Sequence, residues 1–432
     1  MLDLCLKNCK ITSENRKCSV GVDNGKIVSI KRIPMDAEKT IDIDGNTILP
    51  GLIDAHVHMR DPGFTYKEDF KTGTAAAAAG GFTTILDMPN NMPPTNNARA
   101  FNDKIKIAEA KSLVDFGFHA GADNPDQIEE LVKLKPVSFK IFMDLFDDDH
   151  LMNMFGEISK LQEITGSKTI VSLHAEDMEI VKRYTELKKS EENLYPSMYA
   201  DARPPLAEEV AVSKALLMAK EFDLKIHICH ASTKKSINLI NRAKIDGCNV
   251  TSEVTPHHLF LDSSYLEKFG NIAKTNPPLR NLDNKVNFLD LYKVDIIGTD
   301  HAPHTISEKE ENVWNAPPGI PGLETVLPLI LTEVNRGNLS FEDVKRLLCE
   351  NPAEIFNLKN KGFIKEGMDA DFVVVDMKRE DIINPEHFHS KAHYSPFEGY
   401  NVQGLPVMTI LRGKVVMDEG DVIETRGKLV HS

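Results

Sequence analysis

Asp54-Ala55-His56-Val57-His58-Met59-Arg60-Asp61-Pro62-Gly63 follows directly on an apolar run, Thr47-Ile48-Leu49-Pro50-Gly51-Leu52-Ile53. In an extended strand, residues i and i+2 point to the same face. The spacing therefore predicts that His56 and His58 reach one metal ion together. Arg60, on the same parity, is placed to hold a substrate anion beside that metal. Two imidazoles and a guanidinium so close together point to a hydrolase for a small acidic molecule.

Downstream of this segment, short apolar strands alternate with amphipathic helical stretches. Strands are predicted over Thr83–Asp87, Phe116–Ala120, Ser138–Met143, Thr169–His174, Lys225–His230, Asn249–Val254 and Val294–Thr299. Helices are predicted over Tyr66–Ala79, Asn97–Ala110, Pro125–Leu134, Asp149–Thr165, Leu206–Phe222, Lys234–Asp246 and Gly322–Asn335. Repeated βα units fit either a (β/α)8 TIM-like barrel or an open doubly wound sheet. Polar residues end the strands: Asp87, Lys140, His174, His230, Glu253 and Asp300. A barrel brings such ends together on one face, where the loops build the active site. An open sheet spreads them along a line, and no Gly-rich nucleotide loop follows the first strand, so the barrel is the reading taken. Both ends of the chain read as β structure, with Leu2, Leu4 and Leu6, then Val20 and Val22, alternating before the barrel and Asp371–Asp376 and Met408–Leu411 after it. We expect residues 1–50 and 360–432 to build one small β-sandwich domain, with the hydrolase barrel, 51–359, inserted between them.

The chain has 432 residues and a formal net charge of −14, with no basic run. That balance speaks against nucleic-acid binding but not against an anionic substrate, because local cations can invert the field inside a pocket. No window approaches the ~18 apolar residues of a membrane span. Met1-Leu2-Asp3 lacks the basic start and apolar stretch of a signal peptide. None of the six cysteines forms a CxxC pair. Together these features predict a cytoplasmic protein with free thiols, Cys5 and Cys9 being the pair to watch.

His56, His58, Lys140, His174, His230 and Asp300 form the expected metal set. Four imidazoles and a carboxylate suit zinc or a similar borderline ion. Lys140 is the odd member, since an ammonium repels cations. A buried lysine near positive charge loses its proton readily, and the free amine can add carbon dioxide. The resulting carbamate has two oxygens and can bridge two metals. A plainer reading pairs Lys140 with Asp144 or Asp147. Two ions about 3.5–4 Å apart can share a hydroxide that is nucleophilic at neutral pH. Asp300 is then positioned to take its proton and deliver it to the leaving nitrogen.

Taken together, the motifs resemble the amidohydrolase superfamily, and within it the dihydroorotases of the longer type. The match rests on Asp54–Gly63, Asp87-Met88-Pro89-Asn90-Asn91, Phe139–Met143, His174-Ala175-Glu176-Asp177, Arg203-Pro204-Pro205, His227–Thr233, Glu253–Leu259, Thr275–Arg280, Gly298–His304 and Pro318–Thr325. The resemblance implies reversible cyclisation of N-carbamoyl-L-aspartate to L-dihydroorotate in pyrimidine biosynthesis. It implies two zinc ions on the six ligands, bridged by carboxylated Lys140. It also implies that Arg60, Asn90 and His304 hold the substrate carboxylate, with Asn276 on the ring and the backbone near Pro321 and Gly322 on the ring amide. Some members of the family carry aspartate at the bridging position, and Asp144 is the rival ligand here. Family members are often dimers, and some associate with aspartate carbamoyltransferase. Dihydropyrimidinase or allantoinase activity, and a non-catalytic scaffold on the same fold, are the competing readings. The segment around Trp314 is read either as a moving lid or as a static surface loop.

Overall fold

The computed structural model of the chain describes residues 1–11, 17–166, 169–191 and 195–431. The chain opens with five strands, β1 (Leu2–Ile11), β2 (Lys17–Asp23), β3 (Lys26–Lys31), β4 (Ala37–Asp42) and β5 (Thr47–Pro50). Eight more follow: β6 (Leu52–Val57), β7 (Phe82–Asp87), β8 (Asp115–Gly121), β9 (Ser138–Phe142), β10 (Val171–His174), β11 (Ile226–Ile228), β12 (Val250–Val254) and β13 (Ile296–Ile297). The last four are β14 (Phe372–Ile382), β15 (Asn401–Leu411), β16 (Lys414–Asp418) and β17 (Asp421–Val422).

Strands β6 to β13 pair in parallel and in chain order. The ring closes where Val57, ending β6, bridges in parallel to His301, just past β13, with the His58 N–H donating to the His301 carbonyl at 2.8 Å. The expected barrel is therefore present. Its strands are buried along most of their length, as a parallel sheet covered by helices requires. One patch illustrates how sequence becomes packing. Asp69 caps the helix Phe70–Ala79 by accepting from the N–H groups of Lys71 and Thr72. That start directs Phe70 onto β8, where its ring meets Phe118 at 5.9 Å. Phe101, from the helix Ala98–Lys111, meets Phe118 edge-on from the other side at 5.8 Å. Ala76, Ala77 and Ala78 let the first helix lie close to the barrel.

The strands from the two ends of the chain form one nine-stranded mixed sheet. Along a single edge of β1, Leu2–Lys7 pair with β4 and Lys10–Ile11 pair with β5. β5 then pairs antiparallel with β14, which joins the two ends. Leu4, Val20, Val22 and Ile48 share one apolar core with Phe372, Val374 and Ile410. The small β unit built from both termini is thus a single hydrogen-bonded sheet whose limbs close on a common interior.

Two differences from the sequence reading have physical causes. The helix Met178–Lys189, absent from the sequence reading, has no fully buried residue, and its apolar face (Met178, Ile180, Val181, Tyr184) is only half-covered. β13 is short because Asp295, just before it, uses its carboxylate on the Ser252 N–H (2.6 Å) and on Lys244. All six cysteines are free, and Cys5 and Cys9 share β1. The residue across from Cys9 is Cys18, whereas Cys5 faces Gly21. No described helix is long and apolar enough to cross a membrane.

A buried charge cluster ties the barrel to the terminal sheet. Lys361 Nζ lies 2.6 Å from both Asp115, which opens β8, and Asp371, which precedes β14, and 3.0 Å from Asp369. Arg412 adds a second cation on Asp115.

Candidate active site

The C-terminal ends of the barrel strands surround a cavity of about 600 Å³. His56 comes from β6, Lys140 from β9 and His174 from the last position of β10. His230 and Asp300 lie just past β11 and β13. All six expected ligands, His58 included, line this one space. The convergence is tight. Asp300 Oδ1 is 2.9 Å from His58 Nε2 and 3.4 Å from His56 Nε2. His174 Nδ1 and His230 Nε2 are 3.0 Å apart. Arg60, His230 and Asp300 hold left-handed backbone, with φ of 58°, 34° and 48°. Such conformations cost about 1–3 kcal/mol each for residues with a side chain and gather at functional sites.

The expected ligands are held from behind. Glu253 Oε1 lies 2.8 Å from His56 Nδ1 and also accepts from the His230 N–H at 3.1 Å. Glu176 Oε2 lies 3.0 Å from His174 Nε2, and Asn90 Oδ1 lies 2.7 Å from His58 Nδ1. Asp54 stitches the first strand to the last, accepting from the His56 N–H and from the Thr299 N–H, both at 3.1 Å. From sequence, Glu253 is marked only as a polar strand end, and Asp54 and Glu176 are given no role. The available signal was an acid inside each apolar strand run or two residues past a strand-end histidine. Burial pushes the Asp54 carboxyl up to about 7, against the hydrogen bonds from Thr299 and His56. Burial works against charge on His56, but Glu253 and Asp300 outweigh it and raise the ring to about 10. His58 is lowered to about 4 by burial, only partly offset by Asp300. Burial would raise the Asp300 carboxyl as well, yet His56 and His58 hold it well below the usual carboxylate range.

The donor set fits a divalent ion. Donor atoms of His56, His230 and Asp300 all lie within 4.8 Å of one another. Ligands about 2.0–2.1 Å from a tetrahedral zinc stand roughly 3.3 Å apart, which matches the separations above. His230 Nδ1 is buried without a hydrogen-bond partner. Lys140 is 1% exposed, and among the described residues its amine donates only to Cys229 Sγ, at 3.1 Å. The plainer pairing is absent among the described residues: Asp144 is engaged by Arg203 at 2.6 Å, and Asp147 caps the helix Asp148–Thr165. The Lys140 amine thus faces the cavity without a carboxylate partner among the described residues. Asp144, His174 and Glu176 form a second cluster of donors, but the Arg203 guanidinium already occupies it, 2.6 Å from Glu176.

On the opposite wall, Arg60 is 9% exposed and makes no carboxylate ion pair among the described residues. Its Nε donates to the Pro303 carbonyl at 3.2 Å, and its Nη2 lies 3.1 Å from His304 Nε2. Asp61 and Asp69, the acids near it in sequence, pair with Lys111 and Lys391. Strand parity does not place Arg60, since β6 ends at Val57; the left-handed turn aims it. Lys67 Nζ donates to His304 Nδ1 at 3.1 Å. Burial, with Arg60, Lys309 and Lys67 nearby, holds the His304 ring far below its usual proton affinity. Asn90, Asn276 and His304 all line the cavity, and Asn276 Oδ1 is buried without a partner. Pro321 and Gly322 lie off the cavity wall, because the Gly322 N–H donates to His301 Nδ1 at 3.2 Å. Pro318 and Gly319 form the wall there. Gly319 has φ 151°, and a Cβ on it would meet the Ala302 carbonyl at 2.2 Å. The segment before it is fastened by two buried amines: Lys274 donates to the carbonyls of Val313 and Ala316, and Lys309 donates to that of Pro317.

A mixed barrel-and-sheet architecture with a histidine-rich mouth defines a metal-type hydrolase, and the comparisons agree. The chain belongs to the amidohydrolase family, whose model matches residues 47–416. Its sequence relatives include the dihydroorotase of Methanothermobacter thermautotrophicus, 48% identical and covering 100% of this chain and 97% of the relative. The dihydroorotase of Pyrococcus abyssi is 40% identical, covering 95% of this chain and 94% of the relative. Among solved structures, an L-hydantoinase (dihydropyrimidinase) from Arthrobacter aurescens superposes with a TM-score of 0.93 at 32% identity, covering 100% of both chains. The resemblance read from the motifs is borne out: the chain is an enzyme, a cyclic amidohydrolase.

Proposed function

We propose that this enzyme interconverts N-carbamoyl-L-aspartate and L-dihydroorotate. The observation that carries the reading is the buried Arg60 guanidinium, without a carboxylate partner, facing the imidazole cluster across one small cavity. A hydantoin or dihydrouracil ring carries no carboxylate and gives such a group nothing to neutralise. Dihydroorotate and carbamoyl-aspartate both do, and a planar fork can grip a carboxylate with two parallel hydrogen bonds. Asn90 and His304 complete the carboxylate pocket, and Asn276 meets the ring amide.

His56, His58, His174, His230, Asp300 and a carboxylated Lys140 would hold two zinc ions. When bound, such ions polarise a carbonyl and lower the pKa of water. Asp300 carries the proton: in ring opening it delivers it to the departing ring nitrogen, and in closure it takes it back. Glu253 and Glu176 fix the faces that His56 and His174 present. The enzyme would work in the cytoplasm on this small molecule.

Side-by-side assays of dihydroorotate, dihydrouracil and allantoin test the assignment, with turnover expected for dihydroorotate alone. Preference for either neutral ring refutes it. Arg60→Lys should raise KM by about tenfold and change kcat less, since a point charge cannot fork. Normal binding of carbamoyl-aspartate by Arg60→Ala would remove the anion-clamp role. Closure consumes a proton, so acid favours closure and alkali favours opening. The equilibrium ratio should shift about tenfold per pH unit, and identical pH profiles in the two directions would count against the assignment.

A further inference from the structure

The opposite end of the barrel carries a second cavity that the catalytic reading leaves unused. It lies where the strands begin, at Asp115 of β8. The turn Asn24-Gly25-Lys26 of the terminal sheet and the C-terminal segment Lys428–His431 complete its walls. Its volume, about 780 Å³, exceeds the 600 Å³ of the catalytic cavity. Seven of its seventeen lining residues are Lys or Arg and only two are Asp, in a chain of net charge −14. Four of these cations are already matched. Lys361 and Arg412 belong to the buried aspartate cluster, Lys26 pairs with Asp369 at 2.6 Å, and Lys133 pairs with Glu130 at 2.6 Å.

Lys135, Lys359 and Lys428 form no ion pair among the described residues. They project from three different segments into one concavity. Like charges gathered on a rigid frame repel one another, and a multiply charged anion between them converts that repulsion into attraction. Ile105, Leu134, Leu429 and Val430 give the wall an apolar part, beside the polar Asn24, Asn102 and His431. A few convergent charges beside an apolar surface, in a volume of about 300–1,000 Å³, is the form of a small-molecule pocket. We propose that this cavity binds a phosphorylated small molecule, its phosphate between Lys135, Lys359 and Lys428 and its apolar part against Ile105, Leu134 and Leu429. The same occupant would tighten the fold. The Lys428 N–H donates to Asp115 Oδ1 at 2.7 Å, and the Lys428 carbonyl accepts from the Phe116 N–H at 3.0 Å. A ligand on the Lys428 side chain thus grips the barrel through β8.

The test uses the full chain and four probes: inorganic phosphate, ribose 5-phosphate, AMP and adenosine. Calorimetric titration should give saturable binding of the two esters, AMP tighter than inorganic phosphate, and no binding of adenosine. Saturation should raise Tm by roughly 2 °C or more. The three lysines are exposed, so Lys135→Glu/Lys359→Glu/Lys428→Glu should fold, keep its dihydroorotate turnover, and lose about tenfold or more in ester affinity. No saturable ester binding below about 10 mM overturns the proposal. Ester binding that survives in the triple variant, or that N-carbamoyl-aspartate displaces, places the anion in the catalytic cavity and overturns it equally.

Discussion

Asp300→Asn is expected to reduce turnover in both directions by about a thousandfold or more, the upper range for loss of a proton carrier, while Tm stays within a few degrees. The substitution keeps the shape of the side chain, so the left-handed turn at Asp300 and its packing persist. It removes the charge that faces His58 at 2.9 Å and His56 at 3.4 Å. An amide cannot take up a proton near neutrality, and its NH2 would point at imidazole nitrogens where a carboxylate now accepts. Steady-state rates for opening and closure, with circular dichroism and metal content measured on the same preparation, check the expectation. A variant that retains full metal and a tenth of the native rate would show that the proton travels by another group.

Lys361→Met should destabilise the protein by about 3–5 kcal/mol, the usual cost of leaving buried charges without their partner. Three aspartates, Asp115, Asp369 and Asp371, meet this one amine. Burial disfavours the charge on Lys361, but the three carboxylates outweigh it and raise its proton affinity above the ordinary lysine range. A raised lysine contributes stability that is fully present below its unfolded pKa and lost only as pH rises through the folded one. The wild-type contribution is therefore level across neutral pH. The variant behaves oppositely, because Asp371 loses its cation while Asp115 and Asp369 keep Arg412 and Lys26, and protonating the cluster relieves its repulsion. The difference in Tm should be largest near pH 7 and shrink below about pH 4. A gap that does not depend on pH would assign the loss to packing alone.

How much of this was readable beforehand differs from residue to residue. The convergence of the six proposed ligands was legible because each ends an apolar run, and a barrel forces such ends together. Lys140 was legible only as an anomaly. Nothing local in Phe139-Lys140-Ile141 announces that Asp144 is taken by Arg203 and Asp147 by a helix cap, which is what leaves the amine alone. Arg60 reaches the same cavity as the histidines for a different reason from the one read, since a left-handed turn replaced strand parity. Glu253 shares the apolar look of its strand, and its role behind His56 depends on a partner 197 residues away. The Gly322 N–H could not be assigned from sequence either, because its acceptor, His301, lies on the segment that closes the ring. Long-range partners decide all of these, and local pattern carries no information about them.

The seam of the barrel has a consequence for synthesis. His56 and His58 leave the ribosome early, whereas Asp300 and His301, which complete both the pocket and the ring, arrive more than two hundred residues later. A nascent chain, or one truncated before that point, carries most of the imidazoles yet owns no finished reaction chamber. Competence therefore comes in a single step, when the last stave of the cask is set beside the first.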